Sequence, residues 1–384
     1  MAFLTPKDEK GDAPFLVFFT DIRAGLEYFL NTMGPRSAYP LLVAISALFF
    51  TRCGTDGISP RTMDEIKQAQ ARMLTLDVHV ESGRIAGFIS RMKAGGLDAA
   101  FFVVAVPQGD PTPEGYATAK AKALEAIYRI RKAAEDRPRL LGFARTPEEA
   151  YRLEKEGRHA VYVGLDNGYP IGAGLSLISA FYEEGARYLA LCGDSDNVIC
   201  DSALDRTDPH DRGLSVFGRK VVAECNRVGM IIDLADCSER SFFDVLDTSH
   251  APVIVSHAAS RALNSRPENL TDEMIRAVGA KGGVIMVSFE PGRLVAHRRS
   301  SKATTTDIVD HIDHMMNIAG MEAIGIGSAF GCGGGVSDCR DAREILNLTL
   351  QLLKRGYGEA SIEAIWGGNA MRVFKQVEGS IGRK

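Results

Sequence analysis

The stretch Pro252–Asn269, PVIVSHAASRALNSRPEN, decides the fold. Its first part, Val253–Ala258, is an apolar, β-branched run that closes on Ser256-His257, and it reads as a buried strand carrying a histidine at its C-terminal end. Near-continuous hydrophobicity without alternation marks a strand covered on both faces, as in a parallel sheet. Seven other runs share this character: Leu74–Glu81, Ala99–Pro107, Ala160–Asp166, Arg187–Gly193, Met230–Asp236, Gly283–Phe289 and Ala323–Phe330. Amphipathic helical segments separate them, over Pro113–Glu135, Leu175–Glu184, Gly218–Val228, Ser241–Thr248, Thr271–Ala280 and Thr305–Ala319. Glu273 after Thr271 and Asp307 after Thr305 place acids in a first helical turn, where they complement the helix dipole. Eight strands with intervening helices predict a (β/α)8 barrel of the TIM type. One further run, Leu140–Arg145, exceeds that count and reads as a short outer strand.

In such a barrel the chemistry sits at the C-terminal ends of the strands. Those ends read His79-Val80-Glu81, Leu165-Asp166-Asn167, Cys192-Gly193, Ala235-Asp236-Cys237, Ser256-His257 and Ser328-Ala329-Phe330. Five of these side chains are able to bind a metal: His79, Glu81, Asp166, Asp236 and His257. Strand alternation puts His79 and Glu81 on one side. One histidine or aspartate at a strand end ordinarily serves as a cap or loop hydrogen bond. Five facing one mouth suffice for one or two divalent cations.

The 384 residues are 45% hydrophobic and 24% charged with a net charge of −4, an ordinary globular balance that offers no basic stripe for nucleic acid. Seven cysteines, an odd and scattered count, predict free thiols in a reducing compartment in preference to a disulfide scaffold. Residues 1–65 read as an N-terminal extension, helical or signal-like, before a barrel over 66–384. The uncharged Ser37–Thr51 is short for a membrane span, and the 33–53 segment resembles a secretory signal. A cytoplasmic location is the expectation, with export or membrane anchoring through 33–53 as the alternative. His311 and His314 read as surface or packing residues of an outer helix, and the loop Gly331–Gly335 lacks the Lys-Ser/Thr of a phosphate loop.

From about Leu74 to Val377 the chain resembles the membrane (renal) dipeptidase family, peptidase family M19. The likeness is carried by LTLDVHVE, LDNGYPIG, GARYLALCGDSDNVICDSA, GLSVFGRKVVAECNRVGMIIDLADCS, APVIVSHAASRALNSRPENLTDE, AIGIGSAF and WGGNAMRVF. The resemblance implies a metal-dependent amidohydrolase type of barrel, a two-zinc site, hydrolysis of dipeptides and a homodimer. It also marks departures. His79 and His257 match family metal ligands; Glu81 stands for an aspartate, Asp166 for the bridging glutamate and Asp236 for a zinc histidine. Gly193 stands where the family has a substrate-contacting histidine. Ala329 replaces an aspartate that handles protons, and Glu268 replaces an arginine that pairs the substrate carboxylate.

The three altered metal positions all remain carboxylates, so a cation site is expected to persist, with Asp166 bridging or acting as base. A set of three carboxylates and two imidazoles shifts preference from Zn2+ towards Mn2+ or Fe2+, although the resemblance favours zinc. Ala329 neither accepts nor donates a proton, Gly193 removes a donor and Glu268 reverses a charge. Ordinary dipeptidase activity is therefore expected to be weakened or changed, on a dipeptide-like or small amide substrate. Two alternatives stay open: a non-catalytic homologue kept for binding, and a repurposed non-hydrolytic enzyme.

Overall fold

A computed structural model describes residues 62–83, 85–207 and 210–381. The 33–53 segment lies outside these residues, and among them no helix is long and apolar enough to cross a membrane. Among the described residues nine parallel strands form one sheet: β1 (Leu76–Glu81), β2 (Ala99–Val104), β3 (Leu141–Phe143), β4 (His159–Leu165), β5 (Ala186–Ala190), β6 (Ile231–Asp233), β7 (Ile254–Ala258), β8 (Val284–Val287) and β9 (Ile324–Ile326). Eight follow the order β1-β2-β4-β5-β6-β7-β8-β9. The ring closes where the Ala329 N–H donates to His79 O and the Glu81 N–H to Phe330 O, each at 2.9 Å. The ninth, β3, pairs only with β4, as the extra run Leu140–Arg145 implied.

Alternation sorts the strand side chains into two cores. On β2, Phe101 and Val103 join the barrel interior, whereas Ala100, Phe102 and Val104 pack against the helices. Inside, Phe101 stacks on Tyr162 at 4.7 Å, and Phe374 of the helix Asn369–Glu378 meets the Tyr162 ring edge at 5.7 Å. That helix adds Met371, Val373 and Val377 to the interior core. The helix Met63–Gln70, which crosses the expected boundary at residue 65, docks on the barrel through Gln70, whose Nε2 donates to Gly95 O at 3.1 Å.

Strands β5, β6 and β9 stop earlier than their apolar runs suggest, and at β6 and β9 buried carboxylates are the reason. Asp233 Oδ1 accepts the N–H groups of Ala235 and Ser256, at 3.0 and 2.8 Å, in place of backbone partners. Asp77 Oδ1 likewise accepts from His79 and Ser328, at 3.2 and 2.9 Å. Each carboxylate ties one strand to its neighbour just below the mouth, and the freed chain turns out to form the site. Burial pushes Asp77 up to about 6 against these hydrogen bonds.

Candidate metal centre at the barrel mouth

His79 and His257 lie side by side at the mouth, their ring centroids 4.1 Å apart. Asp166, from the end of β4, brings Oδ1 to 3.8 Å from His79 Nε2. One ligand atom from each of His79, Asp166 and His257 falls within 4.8 Å of the others, close enough for a small inward movement to gather them round one cation. A local register shift between Asp77 and Val80 flanks His79, and such irregularities re-aim side chains at barrel rims.

The rings are held from behind. Tyr188 Oη meets His79 Nδ1 at 3.3 Å, and Ser256 Oγ meets His257 Nδ1 at 2.9 Å. Each ring is thus held at Nδ1, which turns Nε2 of His79 towards Asp166 and Nε2 of His257 towards Asp236. Tyr188 reaches His79 only because β4 carries Gly164, where a Cβ would sit 2.1 Å from the tyrosine ring. Burial, reinforced by neighbouring His257, holds His79 well below its ordinary value and therefore neutral. Burial pushes Asp166 up to about 7, offsetting the pull of His257. His257 shifts the other way: burial and Arg293 press it down, but the Asp236 hydrogen bond and charge outweigh them and raise it.

The remaining two expected ligands stand differently. Asp236 Oδ2 is 3.6 Å from His257 Nε2, but its Oδ1 accepts from Arg293 Nη2 at 2.8 Å in a buried ion pair. Burial raises the Asp236 carboxyl, yet the Arg293 and His257 charges prevail and hold it well below the usual carboxylate range. Glu81 is exposed at the rim, lying over Gly331, and its carboxylate is not part of the His79–Asp166–His257 group. Five converging ligands thus become three, with a fourth carboxylate engaged by an arginine.

Sequence reasoning passed over that arginine. Arg293 follows β8 in Phe289-Glu290-Pro291-Gly292-Arg293, a seventh barrel-strand end without an obvious ligand at its tip. Its Nε donates to Glu290 at 2.9 Å, whereas its buried Nη1 has no partner. Glu268, expected to meet substrate, is buried; Oε1 pairs with Arg266 at 2.9 Å and Oε2 is without a partner. A Cβ at Gly193 would lie 3.4 Å from Asn167 Nδ2 and 3.8 Å from Asp166 O, so a side chain there would face Asp166. Ala329 is buried with φ +58°, and Asp236 has φ +60°; they are the two non-glycine residues in the left-handed region among those described. Both end barrel strands at the mouth, where strained backbone characteristically gathers.

The described thiols are free, as expected, and His311 and His314 serve packing and surface pairing. Cys192 and Cys237 are buried away from the mouth ligands, Cys332 is exposed in its glycine-rich loop, and the six described cysteines are all free. His311 is buried, accepting the Ser260 N–H at Nδ1 and meeting Leu294 O through Nε2, while His314 pairs with Asp272 at 2.8 Å.

Among known proteins, the family described as Membrane dipeptidase (Peptidase family M19) matches residues 62–382. Dipeptidase tcpJ of Claviceps purpurea (strain 20.1) is 33% identical over 256 residues, 66% of this chain and 59% of tcpJ. Dipeptidase 3 of Rattus norvegicus is 34% identical over 260 residues, 67% of this chain and 52% of that protein. The chain therefore spans little more than half the length of these curated relatives. Among solved structures, the probable dipeptidase PvdM from Pseudomonas aeruginosa superposes with a TM-score of 0.77 at 25% identity, covering 83% of this chain and 98% of that one.

Proposed function

The chain belongs to the membrane dipeptidase family of metal-dependent hydrolases, and we propose that it hydrolyses a small amide or dipeptide-like substrate with a remodelled, single-cation centre. The convergence of His79, Asp166 and His257 at the barrel mouth carries this reading. The donor set fits a divalent cation: two imidazoles and one carboxylate, each histidine braced through Nδ1, with any proton on His257 released when a cation binds. Two imidazoles with one carboxylate suit catalytic Zn2+, and the same set is used for Fe2+. Such a cation supplies Lewis acidity towards a carbonyl and activates water.

The chain's own groups supply the rest. Arg293 brings a positive charge beside Asp236, which disfavours a second cation there. Its buried, unpartnered Nη1 is a donor for a substrate carboxylate or a developing oxyanion. Glu268 Oε2, a buried acceptor without a partner, suits a substrate amine. Asp166 serves as the carboxylate ligand, and the upward shift that burial gives it applies to the metal-free chain. No side chain at position 329 can take or give a proton. The absent acid–base group costs a factor of roughly 10²–10⁴, so turnover of ordinary dipeptides is expected to be slow. Gly193 and Ala329 favour a second reading, in which the barrel binds a ligand without converting it.

Metal analysis of the purified full-length chain separates the two. One equivalent of divalent cation, lost in His257→Ala, supports the hydrolase centre; a metal-free protein whose stability ignores added cation supports the binding reading. Ala-Ala or Gly-Leu hydrolysis tests the remodelling. The triple variant Gly193→His, Ala329→Asp, Asp236→His is expected to exceed the wild type by at least 10²-fold. Equal, rapid turnover by both proteins would overturn the claim of weakened dipeptidase activity.

A further inference from the structure

Behind the mouth, on the helical side of β5 and β6, three cysteines from separate segments meet. Cys192 follows β5, Cys200 lies in the loop before the helix Val216–Val228, and Cys237 follows β6. Their exposures are 1%, 1% and 3%. Cys192 Sγ is 3.7 Å from Cys237 Sγ, and all three sulfurs lie within 4.8 Å of one another. A cation with sulfur ligands at about 2.3 Å holds them about 3.8–4.0 Å apart, in tetrahedral or trigonal arrangement. The cluster therefore already has nearly the spacing of a thiolate site. A buried cysteine alone is an ordinary small apolar residue. Three sulfurs brought together from three segments of chain are harder to account for by packing.

We propose that Cys192, Cys200 and Cys237 bind a thiophilic d10 cation, Zn2+ or Cu+, at a structural site separate from the mouth centre. Soft thiolates select these ions over the harder cations suited to carboxylates. Each sulfur that binds gives up its proton to solvent, so the ion exchanges for up to three protons. A neighbouring carbonyl, Asp201 O, is 3.8 Å from Cys192 Sγ and already accepts from Ser238 N and Ser241 Oγ, both at 2.9 Å. Few further ligands are therefore on offer, which suits the three-coordinate habit of Cu+.

The site would clamp the strand ends that carry Gly193 and Asp236. Ser202, two residues after Cys200, donates through Oγ to Gly193 O at 2.7 Å and to Asp236 O at 3.3 Å. The Ala203 N–H donates to Asp236 O at 2.8 Å. An ion joining Cys192, Cys200 and Cys237 would fix this loop, and with it the backbone at both mouth positions.

The full-length chain, reduced and stripped of metal without oxygen, would be titrated with Cd2+ as the zinc probe and separately with Cu+. The thiolate-to-metal charge-transfer absorption and the sulfur shell by X-ray absorption would be read. The expected result is one equivalent bound with three sulfurs, in an absorption kept by His257→Ala and by Cys332→Ser and lost or reduced in Cys200→Ser. Tighter binding of Cu+ than of Cd2+ would assign the three-coordinate ion, and the reverse would assign Zn2+. A shell of nitrogen and oxygen alone, or an absorption that disappears in Cys332→Ser and persists in Cys200→Ser, would overturn the proposal. So would a Cys192–Cys237 disulfide recovered from protein purified under reducing conditions. The sulfur count is read on the unmutated chain, so a variant that fails to fold does not blunt the test.

Discussion

Replacing Arg293 by methionine should reveal how charge is arranged at the mouth. Arg293 is 6% exposed and donates to Asp236 Oδ1 at 2.8 Å and to Glu290 at 2.9 Å. Methionine keeps much of the volume and removes the charge. In the metal-free protein Asp236 is left as a buried carboxylate without its cation, and breaking a buried pair from one side costs about 3–5 kcal/mol. At about 2 °C per kcal/mol for a domain of this size, the thermal midpoint should fall by about 6–10 °C. With a divalent cation present the sign reverses. A guanidinium held against Asp236 repels a doubly charged ion bound beside it, and each ~1.4 kcal/mol of repulsion removed raises affinity about tenfold, so a gain of about 10–100-fold is expected. Asp236, released, is then free to join His257 as a ligand. Differential scanning calorimetry with and without Mn2+ or Zn2+, paired with chelator competition, reads both effects. The variant should melt below the wild type when stripped and gain more from metal. Equal midpoints and equal metal-induced shifts in the two proteins would show that Arg293 does not set the charge of the site.

Three further outcomes are expected. Tyr188→Phe removes the hydroxyl from His79 Nδ1 and should weaken cation binding about 10–100-fold by chelator competition, with little change in the melting of the stripped protein. Ala329→Gly should stabilise by about 0.5–1 kcal/mol in denaturant titration, since φ +58° strains a residue with a Cβ and glycine adopts it freely; a loss would show the strain to be unimportant. Glu378 is pushed up to about 7, by burial first and Glu148 second. Its folded state holds the proton more tightly than the unfolded chain, so its stabilising effect is complete below about pH 4.5 and lost as pH rises through about 7. Glu378→Gln should therefore raise the melting point at pH 8 and leave it nearly unchanged at pH 4, and an equal shift at both would refute this.

Much of this architecture is legible in the residue order. The continuous apolar runs marked all eight barrel strands, and even the additional run at Leu140–Arg145 proved to be a strand outside the ring. Pro113–Glu135 and Thr305–Ala319 coincide with their observed helices because each has an N-cap threonine just ahead, Thr112 and Thr304. The helix Pro147–Lys155 was missed, although Thr146 and Glu149 form a capping box, because its short apolar stripe was overshadowed by neighbouring strands. The overlong strand ends have a different cause. Asp77 and Asp233 sit within apolar runs and look like interruptions, but their carboxylates replace backbone partners and terminate the pairing. At the site, residue type announces the capacity to bind a metal. It does not announce which partner a carboxylate will take. Asp236 and Glu81 are equally plausible ligands on paper, and only the chain path after β8 places a guanidinium against one, while the rim loop at Gly331 lies under the other.

That pairing constrains how the two positions depend on each other. Asp236 and Ala329 keep the left-handed turns at the ends of β6 and β9, conformations that present a side chain to the mouth at a cost in strain. A carboxylate at 236 in a buried mouth needs a compensating charge, from a cation or from an arginine. An arginine at 293, conversely, would sit badly beside a second divalent ion unless a carboxylate lay between them. Each residue therefore makes the other tolerable, and together they add no net charge to the mouth. What remains for metal is the imidazoles of His79 and His257 with Asp166, a smaller net negative charge than three free carboxylates would give. The preference for a hard cation inferred from counting acids weakens accordingly, and a cation bound by this set is expected to be one that imidazole suits.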